Sequence, residues 1–460
     1  MWSFLWASAI LFSLVSTPSW FVLLVSSFPS SLWFREVAAC ALALLVMLRP
    51  GSIPLLGALA IAQIVQSFAW LPEVANHRLI TAFINVSLSI AIVGACRAER
   101  TARPSASALW EGFLPGARWL LLIVYFFAFF AKLNGDFFDP HSSCAGQFYG
   151  KIAYWLPLLP HGERILAAVA WTTLVVEGAL PLLLAIPRFR TWGVALGLAF
   201  HLALAFDLLQ HLVNFSAMMA ALLVLFLPDR PFAALSERWR ALAGESVGPG
   251  MLRIVACVAF LALVVVALRA VESDAFAIPY YALRQVMFVA LVGALLAYVV
   301  AFRDETTAAP ALPLPRSLLQ GVVLALAVVN GLSPYVGLKT RTAFNMYSNL
   351  RVEAEGSNHF LVPRSFDLLG ILSDTVTVLR TNDAQLSSQA ARYGSRITWF
   401  EFTSYVNRNR EIEVWYDRGG TLHYLNARTG GGMPPAPPWL LRRLLFFRPI
   451  GGRGARECLW

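Results

Sequence analysis

Apolar residues come in long uninterrupted runs over the first three quarters of the chain, and in short alternating runs over the last quarter. The long runs fall at about 3–25, 33–48, 52–70, 79–96, 117–134, 164–186, 191–208, 212–228, 253–270, 280–302 and 317–338. Each approaches the ~20 helical residues needed to cross about 30 Å of hydrocarbon. After residue 338 the period shortens. The stretches ITWFEF, EIEVWYD and TLHYLN within 397–426 alternate as half-buried strands do, and Arg418-Gly419-Gly420 supplies a hairpin turn. The tail, PPAPPWLLRRLLFFRP, reads as a proline-rich linker and a short basic amphipathic helix lying on the membrane surface or on the domain itself. The pattern predicts an all-α polytopic membrane bundle of about eleven transmembrane helices over 1–338. A small extracytoplasmic β-containing domain follows over 339–460.

Composition supports a lipid solvent. Hydrophobic residues make up 58% and charged residues 13%, against about 45–50% and 25% in soluble domains, and the mean hydropathy is +0.64. The net charge of +10 gathers in loops: Arg97, Arg100, Arg103 and Arg118, then Arg188 and Arg190, then Arg230, Arg238 and Arg240, then Arg303 and Arg316. Counted alternately, these loops share one side, so the positive-inside rule puts them and the N-terminus in the cytoplasm and the C-terminal domain outside. This is the arrangement expected of a multi-pass protein of a bacterial inner membrane. No basic patch is interleaved with stacking aromatics, which argues against nucleic acid as a partner. The segment 231–242 reads as an interfacial helix. The five cysteines form no C-x-x-C pair, and no metal site is expected. Cys144 and Cys458 fall on the same oxidising side, where they are able to pair.

Ionisable side chains within apolar helices are costly, and so they are the candidates for chemistry. Three stand out: Lys132, Glu177 and His201. At ~1.5 Å per residue, Glu177 and His201 lie about 15 Å from the cytoplasmic ends of their helices and Lys132 about 21 Å, roughly one turn further out. A neutral Lys132 requires Glu177 to be protonated, bonded to His201 or too far away to dominate. Pro181 removes the donor that would bond the carbonyl of residue 177, predicting a kink there. The plainer alternatives are a snorkelling lysine, a structural Glu–His pair and a histidine bonded within the core. Gly193 and Gly197 read as close helix packing.

The run YFFAFFAKLNGDFF (125–138) resembles the vitamin K-dependent gamma-carboxylase family, also called the horizontally transferred transmembrane domain. That family carries an aromatic helix ending in Lys-Leu-x-x-Asp-aromatic, here Lys132, Leu133, Asp136 and Phe137. VVEGALPLLLAIPRFRTWGVALGLAFH (175–201) and LVNFSAMM (212–219) continue the resemblance, which is densest over 117–230. LSPYVGLKTRTAFNMYSNL (332–350) and VWYDRGGTLHYLN (414–426) extend it more thinly. The resemblance implies an enzyme acting on vitamin K hydroquinone or another quinol in an outward-facing intramembrane pocket. Lys132 would be the base, Glu177 and His201 its walls, and Asp136, Phe137, His141 and Phe200 the substrate contacts. It also implies a protein or peptide as the carboxylated co-substrate. Ala131 stands where the family has a second lysine. A transporter or lipid-handling protein using the same cavity for a lipophilic small molecule is the competing reading. A non-catalytic membrane scaffold is a third.

Overall fold

A computed structural model describes residues 1–15, 30–206, 212–227, 249–301, 312–393, 396–451 and 458. Helices occupy all the apolar runs: α1 (Trp2–Leu14), α2 (Ser31–Leu48), α3 (Ile53–Trp70), α4 (Asn76–Glu99) and α5 (Ala106–Ala131) come first. The segment after α5 holds a single turn, α6 (Gly135–Phe138), and α7 (Cys144–Trp155). Then come α8 (Glu163–Ala185), α9 (Arg190–Leu204), α10 (Leu212–Leu223), α11 (Pro249–Glu272), α12 (Ala277–Ala301) and α13 (Leu318–Leu332).

Among the described residues, six helices are long and apolar enough to cross a bilayer: α3, α4, α5, α8, α11 and α12. They are consistent with an integral membrane protein in contact with lipid. The expectation of about eleven spans is not supported. The apolar helices Trp2–Leu14, Leu212–Phe226 and Leu318–Leu332 rise only about 20 Å each, short of the ~30 Å of hydrocarbon. α13 stops before the end of its apolar run for a local reason. Ser333 turns its hydroxyl back onto the Val329 carbonyl at 2.8 Å, and Pro334 brings no N–H to the next turn. Residues 16–29, which include Pro18, and the expected interfacial helix 231–242 lie outside the described residues.

α1 is buried on nearly every face, as a helix that is apolar all round must be. Its Trp2 and Trp6 stack at 5.3 Å, and the Trp6 indole donates to Asn85 Oδ1 on α4 at 3.0 Å. α5 begins eleven residues earlier than its apolar run suggests, because Ser105 caps it by accepting from the Ala108 N–H. Gly331 of α13 lies against the Phe127 ring of α5, and a β-carbon there would strike the ring. α8 continues through Pro181 as one helix.

The C-terminal region folds onto one end of this bundle. Strands β1 (Val352–Glu353) and β2 (Gly356–Ser357) make a small hairpin. Strands β3 (Thr375–Thr381), β4 (Arg396–Thr398), β5 (Glu413–Arg418) and β6 (Thr421–Asn426) form an antiparallel sheet in the order β4-β3-β5-β6. The β5–β6 hairpin turns at Gly419-Gly420, both with positive φ, as the two-residue turn requires. The expected strand ITWFEF is corrected. Only its first residues pair, as β4, and the chain then coils into α15 (Trp399–Val406), following α14 (Ala384–Tyr393). Thr398 Oγ1 accepts from the Glu401 N–H at 3.2 Å, so a Thr-x-x-Glu helix start overrides the alternation. The tail forms the amphipathic helix α16 (Trp439–Leu444). Arg443 Nη1 donates to the carbonyls of Ala69 and Leu71 at the end of α3, and Arg408 meets Glu73 at 3.4 Å. Cys144 and Cys458 are joined as a disulfide.

Glu401 sits in this docking zone. Burial pushes its carboxyl up to about 7, and the Phe447 N–H and the nearby Arg408 offset only part of that. The folded state therefore keeps a proton that the unfolded chain has already released, between the ordinary carboxyl value and about pH 7. Stability must fall as pH rises through that window. The wild-type protein in detergent is expected to melt at a lower temperature at pH 8 than at pH 5.5, and Glu401→Gln to lose much of that difference. An unchanged pH dependence in the variant would contradict this.

Candidate active site

α5 brings Tyr125, Ala128 and Lys132 onto one face, at spacings of three and four residues. Lys132 terminates the helix as its C-cap. Helical side chains lean toward the N-terminus, so the lysine runs back along its own helix instead of outward. Its Nζ donates to the Ala128 carbonyl at 3.2 Å and to the Met346 carbonyl at 3.1 Å. It also meets Glu177 Oε2 of α8 at 2.7 Å. Two carbonyls accept hydrogen bonds from the Nζ, and Glu177 adds a charge contact without hydrogen-bond geometry, its Oε2 being buried with no hydrogen-bond partner among the described residues. Only 3% of Lys132 is exposed.

This geometry corrects the depth argument. A one-turn offset between backbones left room for Lys132 and Glu177 to be separate, but the lysine's own length closes it. The alternative of a Glu177–His201 pair is not among the bonds at this site. The His201 Nε2 pairs with the Tyr125 hydroxyl at 2.9 Å. His201 is buried, and its Nδ1 has no hydrogen-bond partner among the described residues. Gly178, next to Glu177, explains how α8 comes so close to α5: a β-carbon there would lie 2.8 Å from the Phe129 ring.

These four polar side chains line one cavity of about 190 Å³. Its other walls are largely apolar: aromatic and sulfur-containing side chains such as Phe137, Phe200, Phe215 and Met346 alternate with aliphatic ones such as Val169 and Leu204. Phe137 and Phe200, both expected as substrate contacts, are thus on the cavity. Asp136 and His141 are not among its lining residues. Asp136 is engaged with Arg351 and Asn358, and His141 is exposed beside Glu163 at 3.2 Å. Both follow the lysine closely in sequence, but the turn α6 carries them away from the cavity.

One wall was not foreseen. Residues 340–350 form an irregular strap that supplies Met346 and Tyr347 to the cavity. Thr342, Phe344, Tyr347 and Asn349 all have φ between 50° and 57°. Such left-handed non-glycine residues persist only where the surroundings enforce them. Here Asn349 accepts from the Cys144 N–H at 2.8 Å and donates to the Ser142 carbonyl at 2.7 Å. Asn134 donates to the Ser348 carbonyl at 2.6 Å. Tyr125 was also missed; its sequence signal is its place two turns before Lys132 on the same helical face.

No family model matches the chain, and no curated protein or solved structure matches it.

Removing one partner of a buried ion pair leaves the other charge uncompensated, at a cost of about 3–5 kcal/mol, whereas replacing both by apolar groups is often close to neutral. Lys132→Met and Glu177→Leu are each expected to lower the melting temperature strongly, and the double variant to recover most of the loss. Additive losses in the double variant would show that the contact carries no coupling.

Proposed function

We propose that this cavity receives the ring of a quinol or a comparable lipophilic phenol, and that the Lys132–Glu177 pair takes up its hydroxyl proton. The observation that carries this reading is a charged pair placed in an otherwise largely apolar cavity, part aliphatic and part aromatic, among apolar helices. A cavity of about 150 Å³ is enough to hold benzene, so about 190 Å³ suits a substituted ring and not a large polar solute.

The lysine is already hydrogen-bonded as an ammonium, so the proton acceptor in this scheme is the Glu177 carboxylate rather than a free amine. The transfer turns an ammonium, a carboxylate and a neutral phenol into an ammonium, a carboxylic acid and a phenolate. Net charge at the site is unchanged, which avoids creating an isolated ion in a low-dielectric interior. Lys132 then stands beside the new anion as its counter-charge. Tyr125 and His201 form a second hydrogen-bonding point, with His201 Nδ1 free among the described residues to meet a second oxygen on the ring. The resemblance to the gamma-carboxylase family supports the quinol assignment. Carboxylation of a peptide rests on that resemblance alone.

The test is a phenolic naphthol whose anion absorbs at a different wavelength from its neutral form, added to the purified protein in detergent. Wild-type protein is expected to bind it and to lower its apparent pKa. Glu177→Gln, which keeps an acceptor against Lys132, is expected to retain binding while reversing that shift by one unit or more, about tenfold in the ionisation equilibrium. Binding with an unshifted ionisation in the wild type would overturn the proton-acceptor role, and no binding at all would overturn the ligand class.

A further inference from the structure

A second group of charges lies where the C-terminal region meets the end of α3, and the proposed quinol site does not use it. Two adjoining cavities, about 210 Å³ and 180 Å³, share Glu401 and Arg408. The first is also lined by Arg341 and Arg448, and the second by Arg442 and Arg443. Among the described residues lining the two cavities, the carboxylates are those of Glu73 and Glu401. Glu73 is committed to Arg408, and burial pushes the Glu401 carboxyl up to about 7, so it carries only part of a charge at neutral pH.

Several guanidinium groups are incompletely used. Arg443 is engaged with the carbonyls of Ala69 and Leu71, and Arg448 Nη1 with the Leu350 carbonyl. The Nε atoms of Arg442 and Arg448, however, are buried without a partner among the described residues. Burial and the like charge of Arg341 push the Arg448 guanidinium down to about 9, so an anion placed beside it would be favoured. An oxyanion with several acceptor oxygens is the chemistry that satisfies such a cluster, because guanidinium groups match phosphate in geometry as well as charge.

What lies beneath the arginines narrows the choice. Trp439 of α16 lines the second cavity, is exposed, and lies 6.2 Å from the Phe68 ring of α3. Phe68, Val65 and Ile61 are all exposed, and at spacings of three and four they form a single stripe along α3. Leu440 and Leu444 of α16 are exposed as well. From the C-terminal region along α3 the order is therefore guanidinium groups, an indole, then an exposed apolar stripe. This is the order of a phospholipid: phosphate, ester region, acyl chain.

We propose that this arginine-lined cleft binds the phosphate headgroup of an anionic phospholipid, with an acyl chain along the Ile61–Val65–Phe68 face of α3. The lipid would bridge α16 to α3 and so fix the C-terminal region to the membrane surface.

The experiment measures lipid retained by the full-length protein after reconstitution into nanodiscs of phosphatidylcholine containing a minor share of phosphatidylglycerol and extraction into neutral detergent. Water-soluble glycerol phosphate is the parallel arm, read by thermal shift. Phosphatidylglycerol is expected to be retained over phosphatidylcholine and to raise the melting temperature, with glycerol phosphate having little effect. Arg442→Ala removes a side chain whose buried Nε has no hydrogen-bond partner among the described residues, so its lipid-free melting temperature is expected to match wild type while phosphatidylglycerol retention falls about tenfold, the worth of one charge-assisted contact. Arg442→Lys keeps the charge and is expected to fall in between. Equal retention of the two lipids, or unchanged retention in Arg442→Ala, overturns the proposal. An equal thermal shift from glycerol phosphate reassigns the cleft to a soluble phosphate ester and overturns the lipid assignment.

Discussion

The contact between Lys132 and Glu177 is the constraint around which the middle of this molecule is arranged. Two opposite charges in a mostly apolar cavity are stable only if they touch and if their remaining donors and acceptors are satisfied. Contact is made possible by Gly178, whose missing β-carbon lets α8 approach the Phe129 ring of α5. Satisfaction comes from two carbonyls, one on α5 itself and one on the strap at Met346. The strap must therefore hold a conformation that its own residues do not favour. Its left-handed backbone is fixed by Asn134 and Asn349. Asn349 in turn bonds the first residue of α7, Cys144, which is disulfide-bonded to Cys458. A chain of covalent and hydrogen-bonded links thus runs from Cys458 to the ion pair.

The parts of this arrangement that the sequence made legible are those that depend on composition or local spacing. Apolar runs located the helices, of which six among the described residues are long and apolar enough to cross a bilayer. Lys132, Glu177 and His201 stood out because charge inside apolar helices is rare. Gly419-Gly420 announced the β5–β6 hairpin because two left-handed positions need glycine. The cysteine pair followed from both residues being placed on one side of the membrane.

The rest depended on side-chain reach and on long-range contact. Backbone spacing put Lys132 a turn from Glu177, but a lysine leaning toward its helix N-terminus spans that distance. Residues 340–350 show neither a period of two nor one of 3.6, so nothing local marked them as a wall of the cavity. Asp136 and His141 are near Lys132 in sequence, yet the turn α6 directs them to Arg351 and to solvent. In ITWFEF, alternation and helix capping compete over the same residues, and the Thr398 cap prevails.

The central claim is that Glu177, held against Lys132, receives the proton of a bound phenolic ring. Infrared difference spectroscopy of the purified protein, recorded with and without a saturating quinol, reads this carboxyl directly. The account predicts that ligand binding converts a carboxylate band into a carboxylic-acid band, and that this signal is missing in Glu177→Gln. A ligand-bound spectrum with no new carboxylic-acid band, or with the same band in Glu177→Gln, would contradict it.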